Sequence, residues 1–180
     1  MKRVKYLDKE FELYIAAEKV QEAVKKVADD INKEFEGKEP AFIAVLNGSF
    51  MFASDLLKYI ELPCTISFLK LSSYDGTSTT GSVKKLIGFK KEKEMEGRPV
   101  IILEDIVDTG ITLENIVAQL NEHNPSELKV ATCLYKPQAY QKQIPIDYVG
   151  LEIPNDFILG YGLDYNEYGR NLADIYKVVE

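Results

Sequence analysis

Residues 104–112 read Glu-Asp-Ile-Val-Asp-Thr-Gly-Ile-Thr and follow the apolar run Val100-Ile101-Ile102-Leu103. Gly110 lets the backbone approach a ligand closely, and Thr109 and Thr112 offer hydroxyl donors on either side of Ile111. The free amides of a helix beginning there favour an anion, and phosphate fits. Glu104 and Asp105 would repel phosphate alone, but they can accept hydrogen bonds from sugar hydroxyls or help place a hydrated metal ion. The stretch therefore reads as a sugar-phosphate site at the end of a buried strand. No Gly-Lys-Ser/Thr follows it, as a nucleoside-triphosphate loop requires, and Gly160-Tyr161-Gly162 lacks the third glycine of a dinucleotide fingerprint. The plain alternative is helix capping by Asp108 or Thr109.

The elements that must hold this stretch can be read from periodicity. Ala16, Val20, Val24, Val27 and Ile31 predict an amphipathic helix over about residues 15–33, ended by Gly37 and Pro40. Ala41 to Leu46 is a continuous apolar run, expected of a parallel strand covered on both faces. A helix-spaced segment follows at Phe50, Ala53, Leu57 and Ile60, then strands at Thr65 to Leu71, Leu86 to Phe89 and Val100 to Leu103. A helix over about 113–123 leads to strands at 130–135, 148–153 and 175–179. This alternation predicts an α/β fold, with a mostly parallel central sheet flanked by helices. Ligands of such folds bind at the carboxyl ends of the strands, here after Leu46, Leu71, Leu103 and Tyr135.

A chain of 180 residues suits one domain, and 46% hydrophobic with 28% charged residues is ordinary for a folded protein. The net charge of -7 argues against a nucleic-acid partner. It also opposes any anionic substrate, so binding must come from local amides, a few cations and a metal ion. Cys64 and Cys133 both lie in apolar, strand-like runs and are expected to be buried, reduced thiols. No run is long enough to span a bilayer, and a cytoplasmic location with no membrane partner is expected. Residues 72–82 contain one aromatic and no aliphatic residue, so they are expected to be mobile.

At this point the chain resembles the type I phosphoribosyltransferases, and most closely their hypoxanthine-guanine branch. The likeness is carried by LNGSFMF at 46–52, SSY at 72–74, EDIVDTGIT at 104–112, LYKP at 134–137 and FILGYGLDYNEYGR at 157–170, in the family's order. It implies the type I phosphoribosyltransferase fold over 1–180: a core of about 35–150, a small hood from the terminal segments, about 1–15 and 151–180, and a mobile lid over about 72–86. It also implies transfer of the phosphoribosyl group from phosphoribosyl diphosphate to a purine, releasing pyrophosphate, with Mg2+ chelated by the diphosphate.

The resemblance also assigns individual residues. Glu104 and Asp105 lie beside the ribose hydroxyls and the metal, and Asp108, Thr109, Gly110, Ile111 and Thr112 surround the 5-phosphate. Asp108 is also the general base at N7 of the purine. Lys136 meets the exocyclic oxygen, and because an ammonium only donates, it favours 6-oxopurines over adenine. Phe157 stacks on the base and the backbone of Ile158 reads its far edge, which leaves the 2-position, and so hypoxanthine against guanine or xanthine, to backbone geometry. Asp164 is a further carboxylate linked to purine and magnesium. Pyrophosphate falls to Asn47, Gly48, Arg170 and the lid pair Ser73 and Tyr74. Asn47 departs from the family, which often has a lysine or arginine there, so that contact must rely on backbone. The bland reading is preferred for Tyr161, Tyr165 and Tyr168, as packing aromatics, and for His123, at a helix end. Small-molecule substrates and a homodimer or homotetramer are expected. The alternative is a regulator of the same fold that senses nucleotide without turnover; it would carry a DNA-binding segment or lose its base and lid.

Overall fold

The computed structural model describes residues 2–70, 85–87 and 95–179, with the backbone alone at 85–87. The expected lid, with Ser73 and Tyr74, lies almost wholly outside the described residues.

The central sheet is built from β3 (Ala41–Leu46), β4 (Thr65–Lys70), β5 (Lys85–Ile87), β6 (Pro99–Val107), β7 (Glu127–Tyr135) and β8 (Tyr148–Glu152), in the spatial order β5-β4-β3-β6-β7-β8. Only β5 is antiparallel to its neighbour; the other five strands run parallel. β3 does not alternate because both its faces are covered, and its first five residues are all buried. On one face α1 (Ala17–Glu34) and α2 (Phe50–Leu57) pack over Phe42, Ala44, Ile101 and Leu103. On the other, α3 (Ile111–Asn121) covers Ile43, Val45, Val100 and Ile102 with Leu113, Ile116 and Leu120. The apolar stripe of α1 is Val20, Ala23, Val24, Val27, Ala28 and Ile31, all buried, at the spacing of one helical face.

From β3 the chain winds outward through α2 to β4, then returns across the sheet to β6 and winds the other way. The reversal lies between β3 and β6, so the turns leaving these two strands diverge and open a crevice at their carboxyl ends. The turns after Leu46 and after β6 meet there.

A second sheet is made by the terminal segments. β1 (Arg3–Tyr6) and β2 (Lys9–Ile15) form a hairpin, and β10 (Ile175–Val178) and β9 (Ile158–Leu159) complete the order β1-β2-β10-β9. It has its own cluster of Phe11, Leu159 and Tyr176. The hairpin escapes sequence reading because charged residues are interleaved through both strands and Leu7, rather than glycine, takes the left-handed position at the turn (φ 55°).

The same sheet steadies α1. Ala16 at the N-cap has no side-chain acceptor, so Asp174 from the far end of the chain accepts the Ala17 amide at 2.9 Å and the Lys2 ammonium at 2.7 Å. The Lys2 bond first, then the Ala17 amide, hold the Asp174 carboxyl below its ordinary range. A folded value below the unfolded one contributes stability that is present above the ordinary aspartate range and lost as pH falls through the folded value. Asp174→Ala should therefore destabilise the protein by about 1 kcal/mol at neutral pH. In denaturant titrations the gap should narrow once the pH drops below about 3.9; a gap that stays constant into acid would rule out the carboxylate as its source.

Three expectations are corrected. β6 does not end at Leu103 but continues through Val107, because it stays paired with β7 from Pro99↔Glu127 to Val107↔Tyr135. Cys64 is exposed, since it stands one residue ahead of β4 rather than within it, while Cys133 is buried in β7. Tyr168 is 56% exposed at the tip of its loop and packs no core. Elsewhere, Tyr161 is buried and Tyr165 packs on Phe11.

Candidate active site

Because β6 runs on to Val107, Glu104 and Asp105 are strand residues and only Asp108, Thr109 and Gly110 form the turn. Ile102 packs toward the α3 side and Leu103 toward the α2 side, but the alternation is interrupted beyond them, since Ile106 packs with the cluster of Leu103 and Val107 with that of Ile102. Glu104 is 6% exposed, and burial, reinforced by the charge of Asp105, raises it well above the ordinary glutamate range. Asp105 is pushed up to about 6 by burial, although the Ile106 amide donates to its Oδ1 at 2.8 Å. For Asp105 burial outweighs the nearby Arg170 guanidinium, which pulls the other way, and two adjacent carboxyls so displaced suit a cation or sugar hydroxyls.

Gly110 is the N-cap of α3, left-handed at φ 82°, and no side chain caps the helix. Neither Asp108 nor Thr109 caps, so the plain alternative fails and the first amides stay open toward exposed Ile111 and Thr112. The backside of this turn is held by the segment after β7. The Gln141 amide donates to the Thr109 carbonyl (3.2 Å), Lys136 N donates to Val107 O (3.0 Å), and a Cβ on Gly110 would overlap the Tyr140 ring. Sequence reading missed Tyr140, because residues 137–147 carry no periodic signal.

Lys136 follows β7 directly and is 8% exposed. Its Nζ lies 3.3 Å from Oδ2 of Asp108. A cation that can meet an exocyclic oxygen and a carboxylate that can take a proton are thus neighbours beside the anion-binding turn.

Across the crevice, the Leu46–Asn47 peptide is cis and Asn47 is exposed. A Cβ on Gly48 would overlap Oδ2 of Asp105, which places the turn after β3 against the acidic end of β6. Gly162 closes on the same point: its φ is 95°, and a Cβ there would collide with the Gly48 carbonyl oxygen. Gly162→Ala should therefore cost about 1–3 kcal/mol of stability, read as a lowered denaturation midpoint; an unchanged midpoint would show that the loop moves away freely. Arg170 pairs with Asp164 at 2.8 Å and donates to the Gly162 carbonyl at 2.9 Å. Its Nε, together with Oγ of buried Ser49, has no hydrogen-bond partner among the described residues. Ser49 was not singled out from sequence, where Asn-Gly-Ser reads only as a turn.

Phe157 stands at the second, terminal sheet: it is 45% exposed, 6.2 Å from Phe11 and 5.8 Å from Tyr165 between ring centroids, while Ile158 is buried in β9. Among the described residues no group of three or more His, Cys, Asp or Glu could hold a metal ion. Glu104, Asp105 and Asp164 therefore form no closed cage. The charge of Asp164 reaches Asp105 and raises it, so these two carboxylates lie near each other, and magnesium is usually held by one or two carboxylates beside substrate phosphates and water.

A crevice at the switch point of a parallel sheet, with an uncapped helix start, buried carboxylates and a second sheet of terminal strands, defines an α/β domain with its candidate site at the carboxyl ends of the strands. The phosphoribosyl transferase domain family matches residues 14–166. The hypoxanthine-guanine phosphoribosyltransferase of Lactococcus lactis is 39% identical over 170 residues, covering 93% of this chain and 91% of that protein. A crystal structure of the Bacillus anthracis hypoxanthine-guanine phosphoribosyltransferase superposes with a TM-score of 0.83 at 43% identity, covering 94% of this chain and 97% of that one. A Trypanosoma cruzi hypoxanthine phosphoribosyl transferase gives 0.85 at 32%, covering 98% and 95%. The chain belongs to the phosphoribosyltransferase family.

Proposed function

We propose that this protein is a purine salvage enzyme, transferring the 5-phosphoribosyl group from phosphoribosyl diphosphate to hypoxanthine and guanine and releasing IMP or GMP with pyrophosphate. The observation that carries the reading is the Asp108–Lys136 pair, 3.3 Å apart beside the open start of α3. That start suits the 5-phosphate, held by Asp108 through Thr112. A purine entering above the pair would set its 6-oxo group at the Lys136 ammonium and N7 near Asp108.

In the reaction N9 forms a bond to the anomeric carbon, the bond from that carbon to the pyrophosphate oxygen breaks, and the purine proton passes to Asp108. Phe157 stacks on the base and Ile158 reads it through backbone. Glu104 and Asp105 orient the ribose hydroxyls, and Gly48, Asn47 and Arg170 face the departing pyrophosphate. The orphaned Nε of Arg170 supports that placement, since guanidinium suits phosphate oxygens. When bound, magnesium supplies Lewis-acid stabilisation of the charge on the pyrophosphate; Asp105 and Asp164 would hold it. The Ser73–Tyr74 lid belongs to the proposal on its sequence alone. So does the division into a core of 35–150 with a hood from 1–15 and 151–180.

Two free cysteines suit a reducing compartment, which supports the cytoplasm; no helix of the described residues is long and apolar enough to cross a membrane. A homodimer or homotetramer is part of the proposal, in line with the interest in oligomeric state of the Trypanosoma cruzi relative. The test is a substrate panel: protein, magnesium and phosphoribosyl diphosphate incubated separately with hypoxanthine, guanine, xanthine and adenine. Nucleotide should form from the 6-oxopurines and not from adenine. Nucleotide from adenine, or from no 6-oxopurine, would overturn the reading.

A further inference from the structure

The loop over 160–170 sends Tyr161 into the core, with Leu163 packed against it. Tyr161 is 3% exposed and stands between Gly160 and Gly162, itself left-handed at φ 48°. A bulky residue takes that conformation only where its surroundings enforce it. Here the enforcing contact is polar: the Tyr161 hydroxyl donates to Oδ2 of Asp55 at 2.8 Å, and Gln21 donates to the same oxygen at 2.7 Å. Lys58 donates to the other carboxylate oxygen at 2.7 Å. The loop, α1 and α2 therefore converge on one carboxylate.

Asp55 lies on the helix whose N-cap is Ser49, the residue after Gly48. Six residues separate Ser49 from Asp55, about 9 Å along a rigid helix. One short helix thus carries the pyrophosphate-side turn at its start and the anchor of the opposing loop near its end. From Tyr161 the chain passes directly into Gly162, which abuts the Gly48 carbonyl and binds Arg170 through both its amide (3.0 Å) and its carbonyl (2.9 Å). The path Gly48–α2–Asp55–Tyr161–Gly162 closes on itself where Gly162 abuts Gly48, and Arg170 is held from it.

We infer that the Asp55–Tyr161 hydrogen bond is a positioning device that sets the distance between the Gly48 turn and the Asp164–Arg170 pair, and so the affinity for a magnesium-bound diphosphate. The inference rests on the proposed pyrophosphate subsite, of which neither Asp55 nor Tyr161 is a member. A contact made only for stability would be served as well by an apolar pair of similar volume. Burial on its own would raise Asp55, yet the bonds from Lys58, Gln21 and Tyr161 hold it below the ordinary range, so it remains an ionised acceptor.

The test is calorimetric titration of magnesium pyrophosphate, which requires no turnover, into the wild-type protein, Tyr161→Phe, Asp55→Ala, the double variant and Asp55→Asn, with the melting temperature of each. The first two should each bind roughly tenfold more weakly, as expected for one hydrogen bond to a charged group. The double variant should lose no more than either, and Asp55→Asn, which keeps an acceptor for Tyr161, should stay within about threefold of wild type. Affinities within about twofold of wild type alongside lowered melting temperatures would overturn the inference, as would losses that multiply in the double variant. If Asp55→Ala does not fold, Tyr161→Phe against Asp55→Asn decides. A wild-type protein that forms nucleotide yet binds no magnesium pyrophosphate sinks this inference alone; one that forms no nucleotide sinks the proposed function.

Discussion

Replacing Asp108 by asparagine lowers kcat by roughly 10² to 10⁴, the usual contribution of a positioned general base. Asparagine has the same shape and keeps an acceptor for Lys136, 3.3 Å away, but its amide cannot take the proton that N7 must hold or lose as N9 attacks. Because the Asp108 side chain is 45% exposed in the turn, the substitution disturbs no core, and the melting temperature should move little. The Michaelis constant for phosphoribosyl diphosphate should also stay near wild type, since the phosphate is held by the open amides of α3 rather than by this carboxylate. Steady-state kinetics with hypoxanthine measures all three. An unchanged kcat removes Asp108 from the proton transfer; a loss confined to the Michaelis constant makes it a binding residue.

The second large effect is expected at Lys136. Its side chain is 10% exposed, so its hydrogen bond to a 6-oxo group would be largely shielded from water, and a bond to a charged group is worth about 1.5–3 kcal/mol. Lys136→Ala should raise the Michaelis constant for hypoxanthine by about 10- to 100-fold and leave that for phosphoribosyl diphosphate within about threefold. A glutamine at 136 offers an acceptor as well as a donor and should narrow the preference for hypoxanthine over adenine. Equal losses for both substrates would show that Lys136 supports the Asp108 turn through Val107 and Tyr140 instead of reading the purine.

Much of the molecule was legible because its signals are local. β3 matches the apolar run Ala41 to Leu46, and Val20, Val24, Val27 and Ile31 of the stripe read for α1 are buried, while Ala16 stands at the N-cap, half-buried. The turn at 108–110 was legible because its small, polar and glycine residues stand together in the sequence. What stayed hidden depends on residues far apart. The continuation of β6 through Glu104 and Asp105 is imposed by its pairing with β7, against the poor strand tendency of carboxylates. The β1–β2 hairpin forms because β10 completes its sheet, and Asp174 caps α1 from more than 150 residues away. Tyr161 looked like one packing aromatic among three; only the fold shows that its hydroxyl ends on Asp55. Asn47 lies exposed in the turn it was read to form, and the cation its position often carries in the family is absent here, leaving Arg170 as the guanidinium on that side.

The most direct measurement of the proposed reaction is its stoichiometry. Hypoxanthine, phosphoribosyl diphosphate and magnesium are mixed with the protein, and IMP and pyrophosphate are quantified together over time, alongside a sample containing a chelator. The account predicts that the two products appear one for one and that the chelator stops both. Pyrophosphate without IMP would mean that water, not the purine, attacks the sugar, and no product at all would mean that this site binds its ligands without joining them; either result contradicts it.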